Sequence, residues 1–260
     1  MSSTSDAAKR IVSDLSDSWN YDKWFAPSDA YSEADAFDLA NKFHDEADIG
    51  SHEFFKVAAS ERRALELWAG QEAVVTGPFS QLLLLVGARI SNVHLRASFM
   101  NVVQGEHNLV RDRRALQSHP WLLHKLCTSM NLNVATLKPM PFTLRFLNAL
   151  AETTSNTMQA LGALGVGNER MLIPEYGAIR NCFSSCYSDA AYDGFLMANI
   201  EEDAEHTEII EMVARSLAIS GHAAEDYYAG ARVGVLARVR YYDEILTCHL
   251  GESDEKESAV

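Results

Sequence analysis

Alternating strand-like patterning is nearly absent from this 260-residue chain, and proline (6), glycine (14) and cysteine (4) are sparse. A sandwich or barrel needs many short strands and frequent turn formers, so both are excluded as the main architecture. Cys127, Cys182, Cys186 and Cys248 form no C-x-x-C pair. Neither a zinc knot nor a disulfide framework is expected, and Cys182 and Cys186, four apart on one helix face, read as packed thiols. A reducing cytoplasm is the expected setting. Basic residues are also in short supply, with 22 Lys+Arg against 36 Asp+Glu and a net charge of −14. Nucleic acid or an anionic membrane needs a basic face, so neither is an expected partner. Arg111, Arg113 and Arg114 cluster, but Asp112 interrupts them, and the group reads as a solvated edge. The most apolar stretch, Ala73 to Ile90, is broken by Gly77, Pro78, Ser80 and Gln81, so no membrane span is predicted. The opening MSSTSDAAKR has no apolar segment, so no secretory signal is expected.

Apolar residues recur at three and four, the spacing of one helix face. Residues 1–30 read as a partly ordered arm, 31–250 as a single helical domain, and 251–260, GESDEKESAV, as an acidic flexible tail. Helices are predicted from Ser32 towards His44, and from a Ser60 N-cap through Leu65 and Trp68 towards Val75. Gly77-Pro78 is expected to kink or restart that helix before Phe79 to Ile90. Further helices are predicted over Leu95 to Asn108, Ser118 to Asn131, Thr143 to Leu164, Gly167 to Phe183, Asp193 to Ser220 and Ala223 to Leu250. No repeat of 20–50 residues is visible, which excludes a solenoid.

Several of these helices carry polar residues where their buried stripe should be apolar. On the helix from Asp193, the stripe of Phe195, Ile210, Val213 and Leu217 also contains Asn199, Asp203 and His206. Glu106 follows Leu95, Phe99 and Val102. Glu169 shares a face with Met158, Leu161, Leu172 and Tyr176, and His119 falls on the stripe of Leu122, Leu123 and Leu126. A carboxylate or imidazole facing a core is costly unless paired or metal-bound. An Asp–His pair holding two helices is the alternative on the helix from Asp193, and each of the others taken alone is more often a helix-end carboxylate or a capped histidine. Together they make three carboxylates and two imidazoles converging from four helices, the donor set of a non-haem di-iron or di-manganese site. The Glu-x-x-His pairs of ferritin-type bundles are missing, since Glu202 and His206 are four apart and His107 directly follows Glu106.

From SHEFF at His52 to Leu217, the motifs occur in the order of a known family. ERRALELWAGQEAVVTGPFSQLL, NVVQGEH, SHPWLLHKLCTSMNLN, LGVGNERMLIPEYGAI and NIEEDAEH resemble segments of the heme-oxygenase-like di-metal oxidases and oxygenases. Thiaminase II and pyrroloquinoline-quinone synthase are relatives of that fold. The resemblance implies an all-α, heme-oxygenase-like (thiaminase II-like) helical bundle, with Glu106, His119, Glu169, Asp203 and His206 on metal-ligand positions. The first histidine of the family's His-x-x-x-Asp-x-x-His is Asn199 here, and Asn199 or Glu202 is the sixth candidate. His107 and His124 are alternatives to His119.

What the resemblance further implies is Fe(II)/Fe(III), two per chain with one weakened by Asn199, and O2 as cosubstrate. The expected reaction is oxidation of a small amine- or amino-acid-like metabolite by N-oxygenation, desaturation or oxidative C–C cleavage, in natural-product or cofactor biosynthesis. An external electron donor and a homodimer are expected partners. Arg180, Tyr176 and Arg145 are the candidate substrate-binding residues; interhelical ion pairs for the arginines and a core role for the tyrosine are the alternatives. A metal-free thiaminase- or quinone-synthase-like enzyme and a non-catalytic helical interaction protein with a decayed metal site are the competing functions.

Overall fold

A computed structural model describes residues 33–107, 118–187 and 191–257. The N-terminal arm and the Arg111–Arg114 cluster lie outside the described residues. Among those described there is no strand, and the α-helices are α1 Glu33–Ala47, α2 Glu53–Ala58, α3 Arg62–Arg89, α4 Val93–His107, α5 His119–Ser129, α6 Pro141–Thr153, α7 Thr157–Leu164, α8 Arg170–Cys186, α9 Ala191–Ile219 and α10 Ala224–Glu257. A π-helical turn, Gly165–Glu169, joins α7 to α8. None of these helices is long and apolar enough to cross a membrane.

The helices form because their apolar stripes meet one core, in which Phe37, Phe54, Trp68, Phe99, Phe183 and Phe195 are essentially inaccessible. α10 is the longest, about 50 Å at 1.5 Å per residue, and packs on α1, α6 and α7. α9 packs on α4, α5 and α8. Gly221, at φ 97°, turns the chain between α9 and α10, a left-handed conformation that glycine adopts without penalty.

Three sequence expectations about helix boundaries fail for local reasons. Gly77-Pro78 neither ends nor restarts α3, which runs unbroken from Arg62 to Arg89 with Pro78 inside it. Packing on both sides of the proline (Val75, Phe79 and Leu83 are all buried) outweighs the lost backbone hydrogen bond. Ser60 is not an N-cap: its hydroxyl donates to the Val57 carbonyl, and Glu61 holds the cap position. The helix expected over Thr143 to Leu164 is two, because Asn156 caps α7 by accepting from the Met158 and Gln159 amides. The Ser118 cap of α5 forms as expected, its hydroxyl accepting from the Trp121 amide. α10 continues past Leu250 to Glu257.

α7 and α10 approach closely through glycine. A Cβ at Gly162 would lie 1.9 Å from the Tyr227 carbonyl, and one at Gly230 would lie 1.9 Å from the Gln159 carbonyl; Gly167 and Gly234 face each other one turn further on. Backbone sits against backbone here, so a methyl group can be accommodated only by moving a helix. Gly230→Ala is therefore expected to destabilise the fold by about 2–4 kcal/mol. Gly177→Ala, where nothing lies within 4 Å of the added atom, should stabilise α8 by about 0.5–1 kcal/mol. Thermal unfolding of the two variants checks both signs.

Candidate metal centre

Four helical segments deliver the centre. Glu106 comes from the last turn of α4, His119 from the first turn of α5, Glu169 from the end of the π turn, and Asp203 and His206 from the middle of α9. The π turn is what aims Glu169: one extra residue per turn re-phases the helix just before it. Glu106, Glu169, Asp203 and His206 are all buried, and a ligand atom from each lies within 4.8 Å of the others. His206 Nδ1 is 3.2 Å from Glu169 Oε2, 3.7 Å from Glu106 Oε1 and 3.8 Å from Asp203 Oδ1. His119, 1% exposed, places Nδ1 3.1 Å from the same Glu106 Oε1. Gly105 makes room for this assembly, since a Cβ there would sit 2.2 Å from His206 Nε2.

The electrostatics are those of a site short of positive charge. Both oxygens of Asp203, Oε1 of Glu169 and Nε2 of His119 are buried with no hydrogen-bond partner. Buried carboxylate oxygens without donors are rare, because desolvation goes uncompensated. Burial, reinforced by Glu169, pushes the Asp203 carboxyl well above its ordinary range. Burial works against a charge on His119, yet Glu106, Glu202 and Asp203 together raise it well above the usual imidazole value. His206 is raised as well, Glu169 and Glu106 outweighing its burial. Burial would lift Glu106, but the charge and hydrogen bond of His119, with His206 behind it, take it below the usual carboxylate range. The three carboxylates and one imidazole that meet within 4.8 Å, with His119 outside that group but hydrogen-bonded to Glu106, fit a divalent transition ion, which would supply the charge that protons supply otherwise.

The remaining candidates are placed differently. Asn199 is buried one turn before Asp203, its side-chain nitrogen donating to the Phe195 carbonyl at 2.7 Å. Glu202 lies at the rim, Oε2 3.3 Å from His119 Nε2, with its side chain 32% exposed. His107 turns back on its own helix, Nδ1 2.8 Å from the Val103 carbonyl, and His124 is exposed and stacks on Trp121. His119, of these three histidines, is the one hydrogen-bonded to Glu106. Arg145 is paired with Glu244 and Arg180 with Asp193, so the structure sets both arginines against other carboxylates. Tyr176 is fully inside, its hydroxyl donating to Glu72 Oε1 at 3.2 Å and its ring 5.5 Å from that of Phe195.

Tyr176 belongs to a second buried polar network that the sequence reading missed. Arg238, 0% exposed, donates to Glu72 at 2.9 Å and to both oxygens of Glu175. Tyr242 donates to Glu175 at 2.6 Å, and Trp68 donates to the Tyr242 hydroxyl at 2.8 Å. Burial pushes the Glu175 carboxyl up despite the guanidinium beside it. The signal was available: Glu72 interrupts the buried stripe of Leu65, Trp68, Val75 and Phe79, as Asp203 does on α9. Burial raises the Cys127 and Cys182 thiols to about 11.

Two expectations follow. Arg238→Met strips the cation from Glu72 and Glu175 and should cost about 3–5 kcal/mol in thermal or denaturant unfolding. A divalent ion entering the centre must displace protons that His119, His206 and Asp203 hold more tightly than free side chains do. Affinity for Zn(II) should therefore rise with pH, a net number of protons being released on binding. Calorimetry in two buffers of different ionisation enthalpy measures that number; an affinity independent of pH would contradict the assignment.

A protein-family model described as "Iron-containing redox enzyme" matches residues 66–239, more than half of the chain. A search of the curated proteins found no match. Among solved structures, a domain of unknown function with a heme oxygenase-like fold from Shewanella denitrificans superposes with a TM-score of 0.64 at 14% identity, covering 86% of this chain and 95% of its own. A CADD-like protein of unknown function from Nostoc punctiforme gives 0.65 at 14%, covering 82% and 97%. A TenA homologue from Pyrococcus furiosus gives 0.61 at 14%, covering 80% and 99%. At these identities the likeness shows the fold alone, and that fold is the heme-oxygenase-like bundle.

Proposed function

The chain belongs to the iron-containing redox enzyme family, and from that premise we propose that Glu106, His119, Glu169, Asp203 and His206 hold non-haem iron, two ions per chain, for the O2-dependent oxidation of a small amine- or amino-acid-like molecule. One observation carries the reading: three carboxylate oxygens, two on Asp203 and one on Glu169, are buried without a donor in a group of four residues whose ligand atoms lie within 4.8 Å of one another. Bound iron supplies one-electron redox chemistry towards dioxygen.

The protein's own groups do the rest. Carboxylates from three segments neutralise a dication pair that a purely imidazole site would leave strongly positive. Phe99, Val102 and Phe195, all essentially inaccessible, wall the centre's helices off from water. The Tyr176 hydroxyl stays protonated, because burial, with Glu72 next, raises it well above the ordinary phenol value. It is thus a hydrogen-bond donor fixed by Glu72, with the Phe195 ring between it and α9. Burial holds the Cys127 and Cys182 thiols protonated, so these two give no support to a metal-free route through a cysteine nucleophile.

The test is anaerobic Fe(II) loading and desalting, followed by admission of oxygen with optical and oxygen-electrode readouts. Two irons per chain and oxygen uptake with an amine or amino acid are expected; no retained iron would sink the reading. Glu169→Ala should abolish uptake while helical content stays near wild type, and unaltered turnover would reject it as a ligand. Asn199→His should tighten the more weakly held iron.

A further inference from the structure

His119 has two ring nitrogens and a carboxylate at each. Nδ1 is 3.1 Å from Glu106 Oε1, inside the cluster, and Nε2 is 3.3 Å from Glu202 Oε2, outside it. A neutral imidazole carries one N–H and one lone pair, so the carboxylate that takes the N–H decides where the lone pair goes. The two neighbours are not equivalent. Glu106 is 5% exposed and its Oε1 is shared with His206 Nδ1 at 3.7 Å, whereas the Glu202 side chain is 32% exposed, although the Oε2 that faces His119 is itself buried. Glu106, beside both imidazoles, is therefore the carboxylate that gains from a cation, and Glu202 Oε2, already withdrawn from water 3.3 Å from the equally buried Nε2, is the one that gains from taking its proton as a hydrogen bond.

Resting on the metal-centre reading above, we infer that Glu202 is the positioning residue of His119: it accepts the Nε2 proton and so turns the Nδ1 lone pair towards the centre. This is the carboxylate–histidine–metal arrangement, in which an outer carboxylate fixes tautomer and ring orientation. It carries particular weight in this chain, because Asn199, buried on the same helix one turn before Asp203, ties its side-chain nitrogen to the Phe195 carbonyl. Asn199 then has only a neutral amide oxygen to give. His119 is left as the imidazole that complements His206, and its orientation is set from α9 by a residue adjacent to the ligand Asp203. In this role Glu202 acts through His119 and is not itself a ligand.

The experiment is Co(II) titration of the full-length protein, followed by visible absorption and calorimetry, for wild type, Glu202→Ala, Glu202→Gln, His119→Ala and the Glu202→Ala/His119→Ala double variant. Circular dichroism confirms that each is folded. Glu202→Ala should weaken binding about 10–100-fold without changing the number of ions bound. Glu202→Gln, whose amide oxygen still accepts from Nε2, should restore most of the affinity. In the His119→Ala background, Glu202→Ala should have no further effect, since the group it positions is gone. Loss of an ion in Glu202→Ala, with no rescue by glutamine and with the loss persisting beside His119→Ala, would make Glu202 a direct ligand and overturn the inference. Unchanged affinity in Glu202→Ala would overturn it too. A wild-type protein that binds no Co(II) would instead bring down the metal-centre reading, and this inference with it.

Discussion

Uncompensated negative charge inside a helical bundle is the constraint around which this protein is organised. Five carboxylates, on Glu72, Glu106, Glu169, Glu175 and Asp203, are almost wholly withdrawn from water, and each must find positive charge or donors. The bundle solves the problem in two ways. Glu72 and Glu175 receive a permanent cation, Arg238, with the hydroxyls of Tyr176, Tyr241 and Tyr242 filling the remaining acceptor positions. Glu106, Glu169 and Asp203 receive two imidazoles and no guanidinium, leaving oxygens without donors. The first arrangement is closed and structural. The second leaves carboxylate oxygens without donors, and that is the difference between the two.

Packing keeps the two apart and each in place. The glycine contacts along α7 and α10 set those helices backbone to backbone, fixing the segment that leads into Glu169 against the helix that carries Arg238. Gly105 allows the end of α4 to press on His206 in the same manner. Small residues therefore decide where the large charged ones can meet, and a single methyl group at such a point acts on the centre without being part of it.

Much of the centre was legible in the sequence because a charged residue within an apolar helical stripe is conspicuous. Glu106, Glu169, Asp203 and His206 each stand out that way, and the structure brings the four together. The Arg238 network was overlooked although Glu72 shows the same signal, since its partners lie on helices far apart in the chain and nothing in spacing pairs them. Pro78 was over-read as a break because local propensity takes no account of the core on either side of it. Asn156 was under-read, its capping role hidden within a polar run that continued the helical period. The roles of Arg145 and Arg180 depended on partners, Glu244 and Asp193, that only the three-dimensional arrangement identifies.

The π turn at Gly165–Glu169 has a topographical consequence. α7, the turn and α8 form one nearly continuous rod, and each residue along such a rod advances its side chain by about 100°. Glu169, at the end of the turn, faces α4 and α9, while Glu175, six α-helical residues later, faces α3 and α10, and the extra residue in the turn sets the phase of both relative to α7. One rod thus serves two chemically separate compartments. Removing a single residue between Gly165 and Gly167 would restore ordinary helical phase and rotate the two ends of the rod against each other. Glu169 and Glu175 could then no longer both reach their partners, so the length of that five-residue turn is a dimension of the centre as much as any ligand distance.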